Sequence, residues 1–369
     1  MNDSLVDNPI DRALPLLVRI LKGAISANGS DIHIKADAVP RVRVEGRLYQ
    51  LEHPALSCEV VNACVQALTQ LAGLSELRAN AKQLDFSCEI EDAGRFRVHS
   101  YLQRGTRALA FRHIPFPVPD FAALRLPAVI KRIATLDRGL ILVTGATGNG
   151  KSTTIASILD YINSNLERHV VTLEDPIEYL FDDQKSYFSQ REVGRDVESI
   201  QKGIEGALRE DPDMVFVGEV RTLPEFEIAL SAAESGRMVV TTFHSSDVIR
   251  TVSRMINLYA PEFQEAARNR IADALGAIIS QKLVPRRGTN ANVLVTEVFT
   301  RSPTAIECIR DPGRLRGLTA ALEAGTHMYG SHSFDQILKL MVRDELISLD
   351  TARAAAHNSN DFVRNLQLT

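Results

Sequence analysis

The stretch GATGNGKSTT, Gly145 to Thr154, follows the apolar run LILVT and leads into a helical pattern. Its spacing, Gly145-x4-Gly150-Lys151-Ser152, is that of a loop built around phosphate. Each residue type has a reason. Glycines let backbone N–H groups turn inward, and the start of a helix adds partial positive charge. Lys151 is expected to reach the β- and γ-phosphates, and the Ser152 hydroxyl to bind Mg²⁺. Gly145, Ala146, Thr147, Gly148, Asn149, Gly150, Lys151, Ser152 and Thr153 are therefore the expected nucleotide contacts.

Acidic and basic partners lie elsewhere in the chain. In DPDMVFVGEVR an apolar strand, Met214 to Val217, leads to Glu219, expected on the strand beside the phosphate loop and facing Mg²⁺ or its water. TLEDPIEY places Glu174, Asp175 and Glu178 after another apolar strand, where ligands of parallel sheets bind. Such carboxylates can orient or deprotonate a water, and they equally suit the start of a helix. Glu174 joins the expected nucleotide contacts. His244 ends the run MVVTTFH, as a γ-phosphate sensor, a link to a neighbouring subunit, or a structural histidine. Upstream, GRFRVHSYLQRGTRALAFRHIP carries Arg95, Arg97, Arg104, Arg107 and Arg112. Arg95 and Arg97 share one strand face. One or two of the arginines are expected to reach a nucleotide, because phosphoryl transfer gains from a guanidinium at the developing charge; the others suit a solvated basic face.

These residues need a scaffold. Residues 9–27 have a helical apolar pattern that Pro15 is expected to kink or shorten. DIHIKA alternates, RVRV and RLYQL flank a Glu45-Gly46 hairpin, a helix is expected near 57–79, and DFSCEI, GRFRVHSYLQ and RALAFRHI follow. Together they predict an antiparallel sheet with helices, ending around Ile114. PFPVPDF, with three prolines in seven residues, is a stiff linker. Beyond it GLILVTG, HVVTLED, MVFVGEV and RMVVTTFH alternate with helical stretches at 151–165, 198–210 and 223–235, which predicts an α/β domain with a largely parallel sheet.

At 369 residues, with 45% hydrophobic and 24% charged, the chain has enough apolar content for two domains. Its net charge of −4 lacks the basic excess that neutralises nucleic-acid phosphates, so no nucleic acid is expected as a partner. Four cysteines with no CxxC pair argue against a disulfide framework or zinc knuckle. The opening MNDSLVDNPID is acidic rather than a basic export signal, and no apolar run is long enough to span a bilayer; a cytosolic protein without a transmembrane segment is expected.

Several motifs agree with one known family. GATGNGKSTT, TLEDPIEY, REVGRD, ALREDPDMVFVGEVR, AAESGRMVVTTFHSSD and SQKLVP occur in that order, with SDIHI and RVRVEGRL before them and ELISLDTA after. The chain thus resembles the secretion ATPases of the type II/type IV superfamily, nearest its pilus-retraction branch. The resemblance implies a PAS-like α+β N-terminal domain (1–114), a linker (115–121) and a RecA-like P-loop ATPase domain with a C-terminal helical region (122–369). It implies ATP and Mg²⁺ as ligands and a homo-hexameric ring. Lys151 and Ser152 would belong to Walker A, Glu219 would be the Walker B acid, Glu178 the catalytic glutamate and His244 the His box, with Arg97 and Arg112 approaching ATP. Pilus retraction and twitching motility are the implied activity, with a regulatory or accessory paralogue of a partner motor as the alternative. Implied partners are an inner-membrane pilus platform protein and a paralogous pilus ATPase, with the ring in the cytoplasm against the inner membrane. Asn149 stands where the family often has Ser, Thr222 where Asp is usual, and TAIECIRDP matches the retraction-associated segment only loosely.

Overall fold

The computed structural model describes residues 9–74 and 81–366. The opening MNDSLVDN and residues 75–79 of the expected 57–79 helix lie outside them. The chain divides into two compact units, Met1–Pro117 with Asp175–Leu180, and Val118–Glu174 with Phe181–Thr369.

In the first unit β1 (Asp31–Lys35), β2 (Arg41–Val44), β3 (Arg47–Gln50), β4 (Gln83–Ile90), β5 (Gly94–Gln103) and β6 (Thr106–Ile114) form one sheet in the order β3-β2-β1-β6-β5-β4. Each neighbouring pair is antiparallel. The expected hairpin is present: Val44 pairs with Arg47, and Glu45 and Gly46 take φ of 48° and 81°. Two positive φ values in a two-residue loop give the turn whose twist matches its strands. Alternation assigns the faces. β5 buries Phe96 and Val98 and turns Arg95, Arg97 and His99 the other way. Helices α1 (Pro9–Ser26) and α2 (Cys58–Leu71) supply Leu17, Leu21, Val61 and Leu68 to a core with Ile32, Phe96 and Phe111.

Of the two outcomes expected of Pro15, a kink or a shortening, the shortening does not occur: α1 runs past it for another eleven residues to Ser26. Leu17, Ile20 and Leu21 are all buried. At about 1.5–3 kcal/mol for each buried aliphatic side chain, their packing exceeds the roughly 3 kcal/mol cost of an interior proline.

The second unit holds β7 (Gly139–Thr144), β8 (His169–Glu174), β9 (Tyr187–Glu192), β10 (Met214–Val217), β11 (Met238–Phe243), β12 (Leu275–Pro285) and β13 (Asn292–Thr300), in the order β13-β12-β7-β11-β10-β8-β9. β12 and β13 pair antiparallel; the other pairings are parallel. Every residue of β7, β10 and β11 is buried, which is why these strands read as near-continuous apolar runs rather than alternating ones. Ile141 and Val143 face α3 (Val129–Ala134) and α4 (Lys151–Asn165) through Ile133 and Ile158. Leu140 and Leu142 belong to the opposite core, with Ile204 of α5 (Ile200–Ala207), Phe226 of α6 (Leu223–Glu234), Val252 of α7 (Val248–Ile256) and Ile271 of α8 (Gln264–Ala274). Helices near the C-terminus close over Val284, Val293 and Val295 with Phe334, Leu338 and Phe362.

The strand order corrects one expectation. β10 is not beside β7, because β11, later in the chain, pairs with both. Glu219 therefore follows a strand one position removed from the phosphate-loop strand, and His244 follows the strand between them.

Candidate active site

The carboxyl ends of β7, β8, β10 and β11 deliver the phosphate loop, Glu174, Glu219 and His244 to one edge of the second sheet. Gly145 begins the loop with φ 152°, and a Cβ there would lie 2.7 Å from the Gln281 carbonyl oxygen, so the tight approach of loop to β12 requires glycine. Gly148 and Gly150 also have positive φ, at 84° and 79°. Gly150 is the N-cap of α4 and offers no side chain to it. The first N–H groups of that helix are thus left for an anion rather than closed by a capping oxygen. Lys151 lies in the loop, its Nζ donating to the carbonyls of Gly145 at 2.9 Å and Ala146 at 3.1 Å. Ser152 stands exposed and Thr153 half-buried in the first turn.

Asn149 explains itself in this setting. Its Nδ2 donates to Gln281 O at 3.2 Å and its Oδ1 accepts from Leu283 N at 3.3 Å, fastening the loop to β12. Gln281 Nε2 in turn donates to Thr154 Oγ1 at 2.8 Å, and the hydroxyls of Thr144 and Ser280 are 2.8 Å apart. Gln281 was not among the expected site residues. The signal was there in the Ser280–Gln281 pair interrupting the apolar run LGAIISQKLVP. Beside Asn149 a groove of about 550 Å³ opens between Lys282–Pro285 and Asp350, Thr351, Ala354 and Ala355.

Glu219 and His244 come together: Oε1 of the carboxylate is 3.1 Å from His244 Nε2. The other oxygen accepts from Arg221, at 2.9 Å from Nε and 2.8 Å from Nη2, a partner the sequence reading did not single out. Thr242 Oγ1 donates to Gly218 O at 2.6 Å and fixes the backbone just before Glu219. The His244 carbonyl accepts from Arg254. Thr222, where the family usually has Asp, caps α6 and forms a reciprocal capping box with Glu225. Thr and Asp both serve at that position, so this departure preserves the local structure.

The acidic cluster TLEDPIEY is separated by the fold. Glu174, 8% exposed, ends β8 and accepts from Thr172 Oγ1 at 2.8 Å and Gln190 Nε2 at 3.4 Å. Glu178 belongs with the first unit, where its Oε1 is 3.2 Å from Arg97 Nη1. Arg97 and Arg112 are directly opposed on β5 and β6, but Arg112 pairs with Asp31 of β1 at 3.0 Å. Arg107 donates to Ala81 O at 2.6 Å, and Arg104 occupies a turn with φ 50°, so both have structural positions. Hence the second unit groups the loop with Lys151 and pairs Glu219 with His244, while the first unit pairs Glu178 with Arg97.

Among the described residues no helix is long and apolar enough to cross a membrane. The chain is 33% identical over 346 residues to the type IV pilus retractation ATPase PilT of Pseudomonas aeruginosa, covering 94% of this chain and 99% of that protein. It is 31% identical to the type IV pilus ATPase PilU of the same organism, covering 93% and 89%. A crystal structure of the pilus retraction motor PilT with bound ADP matches with a TM-score of 0.84 at 36% identity, covering 94% of this chain and 99% of that one. A family model described as type II/IV secretion system protein matches residues 7–316. With that match spanning most of its length, the chain belongs to the type II/IV secretion system protein family.

Proposed function

We propose that this chain hydrolyses ATP and works as a homo-hexameric motor that retracts type IV pili. The observation that carries the reading is the edge of the second sheet, where a glycine-built loop with Lys151 inside it shares the strand ends with the Glu219–His244 pair. Named ATPases among its relatives, and the ADP bound by the similar PilT structure, support it. We read residues 1–114 as a PAS-like domain, 115–121 as a linker and 122–369 as a RecA-like ATPase domain.

Residues of this chain take the following roles. Lys151 exchanges its two loop carbonyls for β/γ-phosphate oxygens, and the loop from Gly145 to Thr153 cradles them. The groove beside Asn149 takes the base and ribose. Ser152 and Glu219 would hold Mg²⁺: a hydroxyl and a carboxylate are hard oxygen donors, which suit this ion alongside phosphate and water. When bound, Mg²⁺ offsets charge on the transferring phosphoryl group. His244 orients the Glu219 carboxylate, Glu178 orients or deprotonates the attacking water, and Arg97 and Arg112 approach ATP during turnover. Glu174 supports the nucleotide side of the site from the end of β8. The ring acts in the cytoplasm against an inner-membrane platform protein.

A second reading has its own support: identity to PilU, at 31%, nearly equals identity to PilT, at 33%. An accessory paralogue would modulate a partner motor. Deleting the gene separates the two. A motor predicts piliated cells that fail to retract, unrestored by Lys151→Ala; retraction that persists at reduced force without the gene favours the accessory role.

A further inference from the structure

We propose that Arg95 is a positioning residue for Glu178, fixing the backbone from which the carboxylate projects. Arg95 Nε donates to Glu178 O at 2.7 Å and its Nη2 to Ile177 O at 2.8 Å. These two carbonyls flank the Glu178 α-carbon, so one planar fork restrains the peptide on both sides of it. A lysine, with a compact ammonium, cannot reproduce that geometry. Two residues along the same face of β5, Arg97 holds the carboxylate at 3.2 Å. Two arginines on one face of a strand thus grip the backbone and the side chain of a single residue. Ile177 and Tyr179, at 9% and 8% exposure, bury on either side and leave Glu178 turned toward Arg97.

The root of the segment is held as well. Gln190 of β9 donates from Nε2 to Glu174 Oε1 and accepts at Oε1 from Phe181 N, at 3.4 and 2.8 Å. Glu174 and Phe181 belong to the second unit and bracket Asp175–Leu180 in sequence, and Arg95 grips the middle of that segment within the first unit. The inference rests on Glu178 acting on water in ATP hydrolysis, and displacements near 1 Å at such a group lower turnover by about 10²-fold.

The test uses the full chain with Arg95→Ala, Arg95→Lys, Glu178→Gln and the Arg95→Ala/Glu178→Gln double variant, each checked by thermal melting. Arg95→Ala is expected to lower kcat by about 10–100-fold with KM for ATP within about twofold, and Arg95→Lys to recover part of the loss. In the Glu178→Gln background Arg95→Ala should cost less than about twofold, because both changes act through one group. Hydrogen exchange at residues 177–180 should rise in Arg95→Ala irrespective of activity. Unchanged exchange overturns the inference even if the wild type is inactive. So does a raised KM with kcat kept, or a full additional loss in the double variant. An inactive wild type with raised exchange in Arg95→Ala leaves the positioning contact standing and sinks the ATPase reading instead.

Discussion

Replacing Asn149 by Ser, the residue frequent in the family, tests how the phosphate loop is held. The amide makes two hydrogen bonds to β12, at 3.2 Å to Gln281 O and 3.3 Å to Leu283 N, and a serine is too short to make both. Net hydrogen bonds contribute about 0.5–1.5 kcal/mol each, and these are long, so the loss is about 1–2 kcal/mol. The bonds fasten the loop in the shape that turns its N–H groups inward, so the cost falls on that shape. At 1.4 kcal/mol per factor of ten, nucleotide affinity should weaken roughly 5–30-fold. Titration of a fluorescent ADP analogue gives Kd, and thermal melting gives stability. Unchanged affinity together with an unchanged Tm would refute the reasoning and leave the loop shaped by its backbone alone.

Other changes have distinct signatures. Gly145→Ala should abolish nucleotide binding in the same titration, since its Cβ would meet Gln281 O at 2.7 Å from a φ of 152°. Glu219→Gln and Glu178→Gln should each lower kcat roughly 10²–10⁴-fold in a phosphate-release assay with ATP binding largely kept; an unaltered kcat for Glu178→Gln would move its role to Glu174. Arg112→Ala should lower turnover by roughly 10–10³-fold with the oligomer intact by light scattering. Burial holds the His332 pKa below its ordinary value, with Nδ1 facing Gly330 O and Nε2 facing Thr296 Oγ1. The unfolded chain then binds the proton more readily, so this stability is full above about pH 6.5 and is lost as pH falls below it. The urea midpoint should drop between pH 7 and 5, and drop less in His332→Gln.

The second unit was legible where its strands are buried on both faces. GLILVTG, HVVTLED, MVFVGEV and RMVVTTFH are rich in apolar residues with only threonines and end residues between them, and all four hold strands. β9 escaped notice because YFSQRE, at the sheet edge, is mostly half-exposed and polar. Order across the sheet is a different kind of information: local pattern marks β10 and β11 as strands, while only tertiary pairing places β11 between β7 and β10. Site residues followed the same rule. Types and spacing marked Lys151, Glu219 and His244, but Gln281 acts through Thr154, far away in sequence, and Arg95 through backbone carbonyls, which leave no motif. That Glu174 and Glu178, four residues apart, fall to different units is likewise a tertiary outcome that no local pattern marks.

The central claim is that the loop around Lys151 holds ATP for hydrolysis. Phosphate release by the full-length wild type and by Lys151→Ala, with and without Mg²⁺, tests it most directly. Mg²⁺-dependent turnover in the wild type, abolished in a Lys151→Ala protein that melts at the same temperature, is the predicted result; no turnover in the wild type, or near-wild-type turnover in the variant, would contradict it.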